Sequence, residues 1–373
     1  MRILHAANNA EVASVGVEQE VTNLALAQQA RGADVTIVID REGTFIKRSW
    51  EHPVPVIEHL GLGRSFGRPD AMTPEEKTVY ENTVLGFAGL LKRLQPDVIH
   101  CHSARAAVVG MTAGNRLGIP CALTGDSPAG VAEGWRRGLR FATLCLNTGS
   151  FDLLKGLGVP DIHYVPNGTK VMPPGPARHT DTGHSSSLIS VGSLVPRKRI
   201  DVVILAMVEL RRRLGQGCPP LRIYGDGPQR SFLVEMTAVL ELNEIVRFCG
   251  FKPGVLETCP STDILVMASR EDPGSLVVRE AMSRGMPIVA TDVGDVAEML
   301  PDKRYGRVIP LESVLALADG IESLLADIGC GRFDPGLLIE RHRAHYSTEK
   351  WVERVDAVYS GALARNGARS ARR

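Results

Sequence analysis

The sequence predicts an α/β protein built as two similar halves, each a mostly parallel sheet with helices on both faces. Three observations carry that expectation. Short apolar runs of strand length alternate with longer helix-like stretches from the N-terminus to about Gly168. Periodicity then vanishes over "NGTKVMPPGPARHTDTGHSSS", where Pro, Gly, Ser, Thr and His dominate as in a linker. The alternation restarts at "SLISVGS" and runs nearly to the C-terminus. The expected layout is a first domain over 1–170, a linker over 171–186 and a second domain over 187–345. A helix over 346–364 crosses back to the first domain, and a disordered basic tail follows over 365–373. Two such halves put a cleft between them, where ligands gather.

In the first half, "MRILHAA" reads as a strand beginning at Ile3, followed by an irregular loop and the helix "GVEQEVTNLALAQQARG". "ADVTIVID", the helix-like "EEKTVYENTVLGFAGLLKRL" and "PDVIHCH" come next. "ARAAVVGMTAGNRLG" and "IPCALTG" add a helix and a strand, and "LRFATLCLNT" and "IHYVPNG" complete the half. The second half offers "SLISVGS", a helix from about Arg199 to Leu214, "LRIYGDG", another helix, and "EIVRFCGF". "TDILVMAS" and "MPIVAT" are strands on either side of a helix that opens at a Gly-Ser pair and stops at Gly285. "GRVIPL" and the helix "VLALADGIESLLAD" follow, and the final helix carries Trp351, Val355, Val358 and Tyr359 at helical spacing.

The stretch "SREDPGSLVVREAMSRGMPIVATDVGD" poses a physical question. Glu280 stands among Leu276, Val277, Val278 and Met282, where a carboxylate loses hydration and needs a strong partner. In a strand–loop–helix–strand unit, ligands collect at the carboxyl ends of the strands beside the helix N-terminus, so the partner is expected there.

Bulk properties narrow the function. The 43 basic and 42 acidic residues nearly cancel, so nothing global points to nucleic acid. The seven cysteines are odd in number and contain no C-x-x-C pair, against a disulfide framework or a structural zinc site; the expected location is the cytoplasm. "MRILHAANNA" lacks the apolar core of a signal peptide, and no window reaches the roughly 20 apolar residues of a membrane span.

The order "VGSLVPRKRID", "YGDGP", "VRFCGF", "SREDPGSLVVREAMSRGMPIVATDVGD" and "YSTEKW" resembles glycosyltransferase family 4, retaining nucleotide-sugar-dependent enzymes of the GT-B fold. The likeness is strong from about Ser187 to Tyr359 and continues more weakly through "MRILHAANN", "LALAQQARGADVTIV", "PDVIHCHS" and "VPNGT". Its most specific part is a pair of acids eight positions apart, here Asp272 and Glu280, with Asp in place of the more usual leading Glu.

The resemblance implies two Rossmann-like domains facing a cleft and a division of labour among residues. Gly274, Ser275 and Leu276 open a helix whose free N–H groups and dipole suit a sugar-nucleotide diphosphate. Glu280 would accept from ribose hydroxyls and Asp272 would hold hydroxyls of the transferred sugar, while Lys198 would neutralise the departing diphosphate. Gly225, in "YGDGP", belongs to a loop approaching the nucleotide. The family's usual Arg is replaced by Ser193, leaving Arg197 or Arg199 as the second cation. On the acceptor side, the glycine pair of the first loop is reduced to Gly16, Gly125 and Asp126 occupy the place of a usual His, and His102 faces the expected cleft.

Other readings stand beside these. His100 and His102 share a strand face as metal ligands can, but the sequence places no third ligand nearby and the family usually needs no metal. The segment "EGWRRGLRF" reads first as a solvated helix face and second as a contact for an anionic membrane or an acidic acceptor. The expected function is retaining transfer from a UDP- or GDP-sugar to a hydroxyl acceptor, without cofactor or metal, in the cytoplasm or on the cytoplasmic face of a membrane. Its rivals are a nucleotide-sugar epimerase of the same fold, distinguished by turnover of donor alone, and a non-catalytic sugar-nucleotide-binding subunit.

Overall fold

The structure is a computed structural model that describes residues 1–7, 15–40, 54–62, 64, 66, 71–125, 128–173, 186–272 and 274–370, with only the backbone at 15–19, 104 and 367–370. The chain forms two compact units: Met1–Asn167 together with Trp351–Arg373, and Gly168–Lys350.

The first unit holds a seven-stranded sheet of β1 (Arg2–Ala7), β2 (Asp34–Asp40), β3 (Val56–His59), β4 (Val98–Cys101), β5 (Cys121–Gly125), β6 (Ala142–Cys145) and β7 (Ile162–Tyr164). Their order is β3-β2-β1-β4-β5-β6-β7, and every pairing is parallel. Successive side chains go to opposite faces. Ile3, Ala7, Val35, Ile37 and Ile39 pack on one side against Val21, Leu24 and Ala25 of the helix Val15–Ala30. The same face takes Trp351, Val352, Val355, Val358 and Tyr359 from the last helix, Thr348–Ser370. Burying each large apolar side chain there contributes about 1.5–3 kcal/mol. On the other face, Leu4, Ala6, Val38 and Ile99 meet Phe87, Leu91 and Val109 of the helices Pro74–Leu94 and Ala104–Leu117.

The last helix differs from its expected end near 364. It continues to Ser370, because Ala and Arg are good helix formers and two of its side chains are anchored. Arg365 pairs with Asp161 at 2.6 Å, and Asn366 Nδ2 donates to the Gly118 carbonyl at 2.6 Å.

The second unit repeats the plan with β8 (Leu188–Val191), β9 (Leu221–Tyr224), β10 (Val246–Gly250), β11 (Ile264–Met267), β12 (Ile288–Thr291) and β13 (Arg307–Ile309), in the order β10-β9-β8-β11-β12-β13. Leu188, Ile223, Ile264 and Val289 pack on the helices Ile200–Leu214 and Val314–Gly329. Ile189, Leu265, Met267 and Ile288 pack on Val278, Ala281 and Met282 of the helix Leu276–Ser283. In both sheets the strand order reverses once, between β1 and β4 and between β8 and β11. No described helix is long and apolar enough to cross a membrane.

One polar network is buried inside the first unit. His5 on β1 and His100 on β4 are fully buried, and His102 just past β4 is 5% exposed. Gln28 Nε2 donates to Asp356 Oδ1 at 3.3 Å, which turns the amide oxygen toward His5. His5 Nε2 lies 2.8 Å from that oxygen and must donate, so His5 Nδ1 accepts from His102 Nε2 at 2.8 Å. His100 is held between Tyr359 Oη at 2.6 Å and Thr124 Oγ1 at 2.8 Å. The three rings thus bring a third imidazole to the His100–His102 pair, which sequence spacing did not reveal because His5 is 95 positions away from His100. Their candidate ligand atoms lie within 4.8 Å of one another, yet His5 has both nitrogens committed to hydrogen bonds.

Burial holds all three imidazoles neutral, with His5 lowered to about 4 and His100 and His102 well below the ordinary value. A lowered histidine contributes stability that is fully present above the unfolded value near 6.5 and is lost as pH falls through the folded value. Melting temperature should therefore fall on acidification from pH 7 toward pH 4.5, with His5 alone accounting for about 3 kcal/mol over its window. His5→Gln should flatten that pH slope; an unchanged slope would show that His5 does not carry it.

Candidate functional site

The site residues of the second unit converge where β8 and β11 part. Lys198 ends a 3-10 turn, Pro196–Lys198, in the connection leaving β8, and Asp272 lies in the loop leaving β11. Lys198 Nζ donates to Asp272 Oδ2 at 2.6 Å, and the two side chains are only 16% and 11% exposed. The lysine expected on a phosphate and the acid expected on a sugar are thus each other's partner. The Arg270 N–H donates to the Arg197 carbonyl at 2.8 Å, tying the two connections together.

The cations flanking Lys198 separate into different roles. Arg199 sits at a positive φ of 49° ahead of the helix Ile200–Leu214 and binds Asp201 at 3.0 Å and also Glu312. Its charge is compensated by Asp201 on that helix and by Glu312 ahead of the helix Val314–Gly329. Arg197 donates to the Glu271 carbonyl at 3.3 Å and meets no carboxylate among the described residues.

The helix Leu276–Ser283 begins beside them. Ser275 is its N-cap residue and its side chain makes no capping bond; the buried hydroxyl donates to Met267 Sδ at 3.1 Å instead. The helix therefore presents its first turn of N–H groups without a side-chain cap, with Gly274 preceding it. The segment places Glu280 in a part-buried position, and its carboxylate has no hydrogen-bond or ion-pair partner among the described residues. Burial, reinforced by the nearby Glu257 charge, pushes Glu280 up to about 7.

The fully buried charge in this helix is the neighbouring Arg279, which sequence reasoning missed. It pairs with Asp295, also fully buried, and its guanidinium lies 5.5 Å from the Tyr346 ring centroid. The signal was present as a basic residue on the apolar stripe of "LVVREAM", followed by an acid in "DVGD". Removing either partner would strand a buried charge, so this pair anchors the helix that offers its N-terminus to the site.

Gly225 meets a backbone rather than open space. A Cβ there would lie 1.8 Å from the Gly192 carbonyl oxygen, and its φ is 141°. The loops after β8 and β9 close on each other through Gly192 N–H to the Tyr224 carbonyl and Leu194 N–H to the Asp226 carbonyl, both at 2.9 Å. This packing requires a glycine at 225.

In the first unit, His102 sits at the β1/β4 reversal, and its N–H donates to the Ala6 carbonyl at 2.9 Å. Its Nε2 is spent on His5, and Nδ1 is buried with no partner among the described residues. The imidazole is thus a buried part of the network rather than an open side chain. Gly125 ends β5, where a Cβ would lie 2.9 Å from Val131 Cγ2, so helix packing explains the absence of a side chain. Asp126 lies outside the described residues, as do Pro273 and the first loop, 8–14; Gly16 falls in the backbone-only start of the helix Val15–Ala30.

Comparison with known proteins adds independent findings. A family model described as "Glycosyl transferases group 1" matches residues 179–344, and one described as "Glycosyl transferase 4-like domain" matches residues 15–168. An alpha-D-kanosaminyltransferase of Streptomyces kanamyceticus is 33% identical over 144 residues, covering 38% of this chain and 36% of that protein. A GDP-mannose-dependent alpha-mannosyltransferase of Mycobacterium tuberculosis is 28% identical over 249 residues, covering 59% of this chain and 62% of that protein. The matched stretches thus span from about a third to three fifths of these curated relatives. Among solved structures, Anabaena HepE in complex with UDP superposes with a TM-score of 0.77 at 16% identity, covering 97% of this chain and 100% of that one. Likeness at that identity shows the fold, which is GT-B, with two Rossmann-like units. With both family models matched in order along the chain, the protein belongs to glycosyltransferase family 4.

Proposed function

We propose that this protein is a retaining glycosyltransferase that moves a sugar from a nucleoside-diphosphate sugar to a hydroxyl acceptor. The observation that carries the reading is the Lys198–Asp272 pair at 2.6 Å beside the uncapped start of the helix Leu276–Ser283, with the unpartnered Glu280 on the same helix. A cation, an anion-binding helix end and a carboxylate in need of donors match a diphosphate flanked by ribose and a sugar. Relatives support the donor class, one being a GDP-mannose-dependent mannosyltransferase and one fold neighbour having been solved in complex with UDP-glucose. The seven cysteines are unpaired, which suits a cytoplasmic location.

In the proposed mechanism, the arriving diphosphate takes Lys198 from Asp272. The helix N-terminus and Arg197 share the remaining phosphate charge. The freed Asp272 accepts hydroxyls of the sugar, and Glu280 accepts the ribose hydroxyls. The bond from the anomeric carbon to the phosphate oxygen breaks, with its electron pair leaving on the phosphate, where Lys198 stabilises the growing charge. The acceptor oxygen bonds to the same face of that carbon, and its proton passes to the departing phosphate oxygen. This route forms no covalent glycosyl-enzyme intermediate and so needs no nucleophilic carboxylate. Incubation with UDP- and GDP-sugars and candidate hydroxyl acceptors tests the reading: product of retained anomeric configuration is expected, and isomerised donor without acceptor would replace transfer by epimerisation.

Ionised Glu280 is the form that accepts from ribose, so nucleoside diphosphate affinity should rise as pH increases through about 7. Glu280→Gln should weaken binding by about 1.5–3 kcal/mol and remove that component of the pH dependence. Calorimetry at pH 6 and 8 reads both effects, and identical profiles for the two proteins would take Glu280 out of the ribose site.

Metal independence is part of the same proposal. Fixed donors at Lys198 and the helix N-terminus can neutralise a diphosphate, and the sequence holds no Asp-x-Asp pair. Turnover should survive exhaustive treatment with EDTA. Loss of activity restored by magnesium or manganese would show that a cation shares the leaving-group charge.

A further inference from the structure

The first unit carries an open cavity of about 910 Å³ that the proposed reaction does not use. It lies at the amino-terminal ends of β5, β6 and β7, whereas His102 lies past the carboxyl end of β4. Trp135 and Phe141, with ring centroids 5.3 Å apart, line it together with Leu157. Three guanidiniums, of Arg136, Arg140 and Arg365, also stand in its lining.

These charges are unequally compensated. Arg365 is matched by Asp161 at 2.6 Å. Arg136 lies 3.5 Å from Glu133 in a pair whose arginine is 66% exposed, an arrangement that neutralises little. Arg140 meets no carboxylate among the described residues; its Nη1 donates to the Leu139 carbonyl at 3.2 Å, and its guanidinium lies 5.3 Å from the Trp135 ring centroid. Asn115 fixes the Arg140 backbone, accepting from its N–H at 2.8 Å and donating to its carbonyl at 3.0 Å. The Trp135 indole Nε1 is buried and has no acceptor among the described residues, so the ring meets the cavity through its apolar surface.

Apolar side chains face solvent at the same end. Leu153 and Leu157 are 54% and 49% exposed and are four positions apart. Past Asn366 the sequence adds Arg369, Arg372 and Arg373. A small soluble anion would use the guanidiniums but would leave the leucines in water. Cationic groups, a tryptophan ring and exposed leucines together match the interface of a charged bilayer.

We propose that this end of the first unit docks on a bilayer of anionic phospholipid, with a lipid phosphate held by Arg136 and Arg140 beside the Trp135 ring and with Leu153 and Leu157 against the acyl boundary. The site is separate from the Lys198–Asp272 pair, so the proposal stands or falls without the transferase reading.

The test is co-sedimentation of the full chain with vesicles of phosphatidylcholine alone and of phosphatidylcholine containing phosphatidylglycerol. Binding is expected only to the anionic vesicles and should weaken as salt is raised. Arg136→Gln and Arg140→Gln should each lower partitioning about fivefold, while Arg230→Gln, in the second unit, leaves it unchanged. Arg140→Lys should retain most of it, and brominated acyl chains should quench tryptophan emission in the wild type but much less in Trp135→Phe. Melting curves of each variant exclude loss of fold as the cause. Equal binding to neutral vesicles, no binding to either kind, or unaltered binding in both glutamine variants would overturn the proposal. So would saturable binding of soluble glycerol 3-phosphate in the absence of vesicle binding, which would make the cavity a site for a soluble phosphate ester.

Discussion

Strand order reverses once in each sheet, and the rest of the site depends on that reversal. At β8 and β11 the connections leave toward opposite sides, so neither covers the carboxyl ends of the strands between them. Lys198 comes from one connection and Asp272 from the other, and the Arg270–Arg197 backbone bond holds the two at fixed spacing. The first unit has the same reversal at β1 and β4, where His102 is tied to Ala6. Chemistry-bearing residues thus accumulate where parallel topology leaves backbone and side-chain polar groups uncovered.

Charge placement around the second reversal follows a consistent physical logic. Arg279 and Asp295 are buried together and serve the fold, holding the helix Leu276–Ser283 through Tyr346 and its own apolar face. Lys198 and Asp272 are less deeply buried and neutralise each other. Such a pair can be exchanged for a ligand without leaving a bare charge in a low-dielectric pocket, whereas breaking Arg279–Asp295 would leave one. Glu280 is the exception, a desolvated carboxylate whose stabilising donors are absent from the described protein.

Much of this was legible in the sequence, and the failures have identifiable causes. Strands with continuous apolar runs, such as "VTIVID" and "ILVM", were visible because both sheet faces are buried. The edge strand Val56–His59 was not, since its side chains alternate between exposed and part-buried and leave no apolar run. The helix Pro335–His345 escaped because only Leu338 and His342 are buried along it. At the site, the spacing of Asp272 and Glu280 pointed to the helix Leu276–Ser283, but it carried no measure of which charge in that helix lay deepest, and that is Arg279. The His5–Gln28–Asp356 chain joins residues from β1, the first helix and the last, so no local pattern reports it. Gly225 was legible as a special position, but its close approach to the Gly192 backbone was not, because the two loops are more than thirty positions apart in sequence.

The central claim is that Lys198 passes from Asp272 to the donor diphosphate, and a double-mutant cycle on nucleoside diphosphate binding measures it most directly. Calorimetry of UDP and GDP would compare wild type, Lys198→Ala, Asp272→Asn and the double variant. Lys198→Ala should weaken binding, and Asp272→Asn should strengthen it by releasing the lysine from its competitor. In the Lys198→Ala background the Asp272→Asn change should then have little effect, because no lysine remains to be released. Equal effects of Asp272→Asn in both backgrounds would contradict the account, showing that the two residues act on the nucleotide independently.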